Sequence, residues 1–239
     1  MLIDLHAHTS GISTCCKADG AAMLAAARSV GIDGVCLVNH YHKPYLAKTG
    51  ETAEAFAKRY LEEYRAVKAL GKSLSMPVFF GIEVTMELHG RAHMLVYGVQ
   101  EDFVLQNPTL FDLTQRELYA LAHANGGLLV QAHPMRNGKN SLLDPKYLDG
   151  VEINSHLLYD GTHYAELAAF ARANGLLLTS GGDYHADTPR PKCGLCLPDG
   201  LADTSAIMAY LQGADRIEMC LQESENDTPE NKVFEKNGY

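Results

Sequence analysis

Short apolar runs recur along this chain, and most of them stop on a histidine, a glutamate or an aspartate. Met1-Leu2-Ile3 leads into Asp4-Leu5-His6-Ala7-His8, and Gly34-Val35-Cys36-Leu37-Val38 into Asn39-His40. Pro77-Val78-Phe79-Phe80-Gly81-Ile82 ends at Glu83, and Leu128-Leu129-Val130-Gln131 at Ala132-His133. Leu176-Leu177-Leu178-Thr179 precedes Gly181-Gly182-Asp183-Tyr184-His185. A run apolar on consecutive residues reads as a strand covered on both faces. Segments with helical spacing separate these runs, so strand, loop and helix repeat about seven times. That pattern predicts an α/β fold with a parallel sheet wrapped by helices. A length of 239 residues suits a closed barrel better than two open sheets.

The helical segments are well marked. Met23, Leu24, Ala27 and Val30 share a face ended by Gly31, and Phe56, Tyr60, Tyr64 and Val67 form the stripe of a helix over 53–70. Further helices are expected over 113–124 and 164–174, with a weaker one over 204–211. Additional strands are expected at His93-Met94-Leu95-Val96-Tyr97, Val151-Glu152-Ile153 and 217–221. His93 precedes its apolar run instead of following it, so that strand is expected to run against the others. No linker or internal repeat divides the chain. One domain is expected over 1–222, with a polar tail, 223–239, left without an assigned structure.

Composition narrows the function classes. A net charge of −9 and the lack of any Lys/Arg run argue against a broad nucleic-acid surface. No charged segment followed by an apolar one opens the chain, and no stretch approaches the ~20 apolar residues of a membrane span. The expectation is a cytoplasmic protein with its six cysteines reduced. Cys193-Gly194-Leu195-Cys196 has CxxC spacing, but adjacent Cys15-Cys16 does not supply the second pair a structural zinc needs, so it reads as incidental.

The strand ends carry the chemistry. In an extended strand, residues two apart project to one side, so His6 and His8 can aim both imidazoles at one point. Asp4 falls on the same side, placed to orient a ligand histidine from outside. Strand ends of a parallel barrel face one pole, which would gather His6, His8, His40, Glu83, His93, His133, Asp183 and His185. So many imidazoles and carboxylates at one mouth call for cations or a dense hydrogen-bond network. Mixed nitrogen and oxygen donors suit zinc, manganese or iron.

Asp4-Leu5-His6-Ala7-His8-Thr9, Asn39-His40, Gly81-Ile82-Glu83, Ala132-His133-Pro134 and Gly182-Asp183-Tyr184-His185 together resemble the motifs of the PHP (polymerase and histidinol phosphatase) superfamily. They occur in that family's order, over about residues 2–200. The resemblance implies a distorted (β/α)7 barrel of the TIM-like, PHP type, two or three divalent metal ions, and phosphoester hydrolysis through a metal-bridged hydroxide. It also implies that His6, His8, Glu83 and Asp183 hold a first ion. Glu83 would bridge to a second ion completed by His93 and His133, and His40 and His185 would serve a third. The family's third site takes another Asp or His from the loop after the first motif. Here Ser10-Gly11-Ile12-Ser13-Thr14-Cys15-Cys16 has neither. That ion is therefore absent, weakly held, or held by Cys15 or Cys16 as thiolate; the two cysteines read equally well as inert.

Arg136, three residues after His133, is the first choice to grip a phosphoryl group, and Arg190, five after His185, the second. His42 and His156 are candidates to protonate a leaving group or to line the pocket. His89, His123 and His163 read as ordinary surface or helix residues, and Tyr41, Tyr45 and Tyr184 as loop aromatics that border a substrate ring or pack on neighbours. The expected partner is a small phosphorylated molecule of histidinol-phosphate or nucleotide type. Amidohydrolase-like C–N hydrolysis and a non-catalytic metal-binding module are the alternatives.

Overall fold

The computed structural model of the chain describes residues 1–136, 142–159 and 161–237. The first run forms β1 (Leu2–Ala7), followed by α1 (Gly20–Ser29) and β2 (Gly34–Leu37). Asp19 caps α1, its carboxylate accepting the Ala22 N–H at 2.8 Å. β3 (His40–Tyr41) and α2 (Lys43–Thr49) lead to α3 (Ala53–Ser73), whose expected stripe of Phe56, Tyr60, Tyr64 and Val67 is buried. Tyr60 Oη lies 2.8 Å from the Asn39 carbonyl and 3.0 Å from that of Gly81, tying α3 to the backbone that carries His40 and Glu83.

Next come β4 (Val78–Met86), β5 (Ala92–Tyr97), α4 (Phe103–Gln106), α5 (Gln115–Ala124) and β6 (Leu128–Gln131). They are followed by β7 (Gly150–Asn154), α6 (Tyr164–Asn174), β8 (Leu177–Gly181) and β9 (Gly194–Cys196). The chain continues through α7 (Thr204–Gly213), β10 (Arg216–Leu221) and β11 (Glu230–Glu235).

Strands β1-β2-β4-β5-β6-β7-β8, in that order, make a mixed barrel with helices around it. Neighbours are parallel except at β5, which runs antiparallel to both β4 and β6. This is the reversed strand expected from the place of His93. His93 pairs with Thr85 near the end of β4, and Met94 pairs with Gln131 at the end of β6. Its first residues therefore lie at the pole where the parallel strands end.

The barrel closes where the end of β8 meets β1. The Asp183 N–H donates to the His6 carbonyl at 2.8 Å, and Ala7 bridges Tyr184 in parallel. A Cβ on Gly181 would fall 2.3 Å from His6 Cβ and 2.7 Å from His6 N, so only glycine permits this approach. The barrel is of the expected distorted (β/α) type, with a hairpin between β4 and β5 in place of one helical crossover. Ile3, Val35, Ile82, Val96, Val130, Val151 and Leu178 are fully buried in it. Each such side chain contributes ~1.5–3 kcal/mol, the reserve against which the buried polar groups at the mouth are set.

On the other edge of β1, β9, β10 and β11 extend the sheet in antiparallel fashion. Cys193-Gly194-Leu195-Cys196 is thus largely strand, and all six cysteines are free thiols. β11 lies in the stretch read as a polar tail: its buried contact is Phe234, and its polar residues befit an edge strand. Among the described residues, no helix is long and apolar enough to cross a membrane.

Candidate metal centre

The strand ends do converge. His6 and His8 bring their Nε2 atoms within 3.0 Å of each other. His8 Nε2 lies 2.9 Å from Asp183 Oδ1 and 3.3 Å from Glu83 Oε2, while His6 Nε2 lies 3.2 Å from Asp183 Oδ1 and 3.4 Å from Glu83 Oε1. These four residues are buried and offer donor atoms within 4.8 Å of one another. Two further groups meet the same condition: His40, Glu83 and His93, and His8, His40 and His185. Glu83 belongs to two of the groups and also meets His133 Nε2 at 3.0 Å. All eight ligand candidates from the sequence therefore sit at one mouth.

The donor set fits divalent cations. Glu83 Oε2, Asp183 Oδ1 and His40 Nδ1 are buried, and none has a hydrogen-bond partner. An unsatisfied buried polar atom costs ~1–3 kcal/mol, and three facing one another are best explained as ligand atoms. Although burial opposes it, the imidazoles of His40, His93 and His6 hold the Glu83 carboxyl well below its usual range. Burial likewise opposes ionisation of Asp183, but Arg136 and His6 keep it well below the usual value. Burial and then the Arg136 guanidinium push His133 down to about 3, which leaves its ring neutral, the form that ligates.

Outer contacts fix the tautomers of the His6 and His8 rings. His6 Nδ1 lies 2.7 Å from Glu152 Oε1, and His8 Nδ1 lies 3.0 Å from Ser13 Oγ. Ser13 Oγ donates to Asn39 Oδ1 at 2.9 Å, so it accepts from His8 and leaves His8 Nε2 for the centre. Glu152 Oε2 also accepts the His133 N–H at 3.0 Å. His133 (φ +30°) and Asp183 (φ +47°) both hold left-handed backbone, which costs a non-glycine residue ~1–3 kcal/mol and persists where surroundings over-determine it.

No protein-family model matches the chain, and no curated protein matches it by sequence. Solved structures do resemble it. One is a two-domain protein from Bacteroides vulgatus containing a predicted PHP-like metal-dependent phosphoesterase, at TM-score 0.68 and 13% identity over 93% of this chain and 65% of that one. A second, from Bifidobacterium adolescentis, is provisionally assigned as a metal-dependent phosphoesterase, at TM-score 0.53 and 17% identity over 89% of this chain and 96% of that one. A third is an amidohydrolase from Chromobacterium violaceum with bound sulfate and no metal, at TM-score 0.52 and 17% identity over 83% of this chain and 93% of that one. The fold is the PHP-type barrel.

On this PHP-type barrel, the remaining sequence candidates separate. Arg136 stands at the centre: its Nη2 pairs with Asp183 and lies 3.1 Å from Asn154 Oδ1, and its guanidinium lies 4.2 Å from the Tyr159 ring centroid. With His93, His133 and Arg91 it lines a cavity of about 400 Å³. Arg190 is buried against Asp4, with which it pairs. Asp4 accepts the backbone N–H of His6 (2.8 Å) and of Gly182 (3.0 Å), so it steadies His6 through the main chain and not through its ring. His42 Nε2 meets Arg91 at 2.7 Å, and burial with that guanidinium pushes it down to about 4. His156 Nδ1 accepts the Leu158 N–H at 3.3 Å, and its Nε2 lies 3.5 Å from Asp187.

The cysteine pair splits. The Cys15 thiol lies 3.6 Å from Tyr45 Oη; desolvation raises it, and the influence of His185 and His40 more than reverses this, to about 5. Cys16 donates to the carbonyls of His8 and Ala18, and burial pushes it up to about 11. Sequence reasoning missed Glu152 and Ser13. Glu152 carried a signal, a lone acid inside an apolar strand; Ser13 in a polar loop carried none.

Proposed function

We propose that this chain is a metal-dependent hydrolase of phosphoester bonds, acting on a small phosphomonoester or phosphodiester of histidinol-phosphate or nucleotide type. The observation that carries this reading is the buried convergence of His6, His8, Glu83 and Asp183 with unpartnered oxygens beside the Arg136 guanidinium. In this reading His6, His8, Glu83 and Asp183 hold a first ion, and Glu83, His93 and His133 a second, with His40 and His185 serving a third. When bound, the ions supply Lewis acidity toward phosphoryl oxygens and an activated water.

The chain's own groups do the rest. Arg136 binds the phosphoryl group: it borders the cavity that reaches His93 and His133, and its buried Nε has no hydrogen-bond partner. Glu152 and Ser13 keep His6 and His8 in the tautomer that presents Nε2. His156 is the better candidate to hand a proton to the leaving oxygen, with Asp187 beside its Nε2. His42 is engaged by Arg91, itself a lining residue of that cavity. Arg190 acts through Asp4 on the backbone of His6 and Gly182.

Elemental analysis of protein purified without added metal, paired with phosphate release over a panel of phosphoesters, tests the reading. Two or three zinc, manganese or iron ions per chain, with turnover lost on chelation, is the expected result. No turnover after reconstitution with any of the three would overturn it. The likeness to the amidohydrolase supports C–N hydrolysis as a second reading; release of ammonia in place of phosphate would select it.

A further inference from the structure

We propose that Arg91 receives a second anionic group of the substrate, so that the cavity beside the candidate metal centre selects phosphoesters bearing a further carboxylate or phosphate. The inference rests on the phosphoester reading above and narrows its substrate class.

The cavity that Arg136 borders is built for anions. Two arginines, Arg91 and Arg136, and three histidines, His89, His93 and His133, line it, and among the described residues no aspartate or glutamate does. A lining without acids stands out in a chain of net charge −9. Low-dielectric walls of one sign concentrate ligands of the other. The volume of about 400 Å³ falls among small-molecule sites and leaves room beyond one phosphoryl group.

The two guanidiniums are anchored on opposite sides of this cavity. Arg136 follows β6 and pairs with Asp183 beyond the end of β8. Arg91 precedes β5, and its Nη2 donates to His42 Nε2 at 2.7 Å, just after β3, which pairs with β4. Glu87 Oε1 stands 3.4 Å from the same His42 nitrogen. Between the two arginines β5 and β6 meet, the Ala132 N–H donating to the His93 carbonyl at 3.0 Å. A substrate whose reacting phosphoryl group lies at Arg136 therefore extends toward Arg91 with its other end.

The hairpin that carries Arg91 is pinned. The Arg91 N–H donates to the Met86 carbonyl at 3.1 Å, and the Ala92 N–H to that of His89 at 3.1 Å. His89 Nε2 accepts the Gln115 N–H at 3.0 Å, which docks the hairpin tip on the start of α5. Arg91 itself holds left-handed backbone (φ +62°), a conformation that persists where the surroundings fix it. Its side chain is exposed, so the planar fork is open to a carboxylate or phosphate, which it meets with two parallel N–H groups. A substrate ending in an ammonium group would face like charge there.

The test uses linear diol bisphosphates and phosphorylated hydroxy acids of increasing length, each paired with the monophosphate ester lacking the second acid. The two series separate phosphate from carboxylate as the preferred group. In the wild type, kcat/KM should favour the doubly anionic member at the fitting length by about tenfold or more, the effect of a charge-assisted hydrogen bond. Arg91→Ala should bring that ratio to unity, and Arg91→Lys should keep part of it. The ratio is taken within each variant, so a smaller folded fraction cancels. Equal kcat/KM across every pair in the wild type, or a preference that survives in Arg91→Ala, would overturn this inference and leave the hydrolase reading intact. If no member is turned over, the hydrolase reading falls. Calorimetric binding of the same pairs then decides whether Arg91 selects the second anion, and equal affinities would overturn this inference as well.

Discussion

His6 and Glu152 meet inside the barrel with Nδ1 2.7 Å from Oε1, though 146 positions separate them in the chain. The same carboxylate takes the backbone N–H of His133, whose left-handed conformation it helps to hold. One buried acid on β7 thus sets the geometry of residues from two other strand ends.

Glu152→Ala should accordingly weaken metal binding by about 10–100-fold, the usual effect of losing a partner that orients a ligand. Glu152→Gln, which can still accept from the imidazole, should fall short of that. Chelator competition measures both; equal affinity in Glu152→Ala and wild type would show that His6 needs no such support.

Arg136 pairs with Asp183 and borders the cavity. Its removal takes away charge-assisted hydrogen bonds worth about 1.5–3 kcal/mol. Arg136→Ala should lower kcat/KM for a phosphoester by roughly ten- to a hundredfold, mostly through KM. Steady-state kinetics decide this, and a change confined to kcat would argue for a role in the chemical step instead.

Gly181 has no room for a methyl group against His6. Gly181→Ala should destabilise the fold by about 1–3 kcal/mol through overpacking at the closure of the barrel. A urea midpoint unchanged from wild type would contradict the close approach of β8 to β1.

The two neighbouring thiols should titrate far apart. In metal-free protein Cys15, drawn down to about 5, is mostly thiolate at neutral pH, whereas Cys16, pushed up to about 11, stays a thiol. The thiolate is the nucleophile, so alkylation of Cys15 should be fast and nearly constant above neutrality and slow as pH falls through about 5. Cys16 should stay protected until the chain unfolds. Peptide mapping after timed iodoacetamide treatment reads both, and a Cys15 rate that rises only above pH 8 would contradict the placement of its thiol.

Much of the convergence at the mouth could be read from the chain because its members are strand-end residues of unmistakable chemistry. His93 was legible in the same way once its place before the apolar run was taken to mean a reversed strand. What could not be read depends on partners distant in sequence. Arg190 looks like a free cation in a loop until Asp4 is seen beside it, and Ser13 is an ordinary loop serine until His8 and Asn39 close on it. Likewise β9 and β11 are short and lie off the barrel, with pairing that no local periodicity announces.

The line along which the barrel closes passes through the proposed ligands: the Asp183 amide donates to the His6 carbonyl, and both side chains enter the same donor group. Loading the proposed centre with ions would therefore also fasten the first strand to the last strand of the barrel. Any cation that binds the closed form alone raises the free energy needed to part them. The exchange rate of the Asp183 amide should then follow metal occupancy, slow in the loaded protein and faster after chelation, so that one backbone hydrogen reports how full the site is.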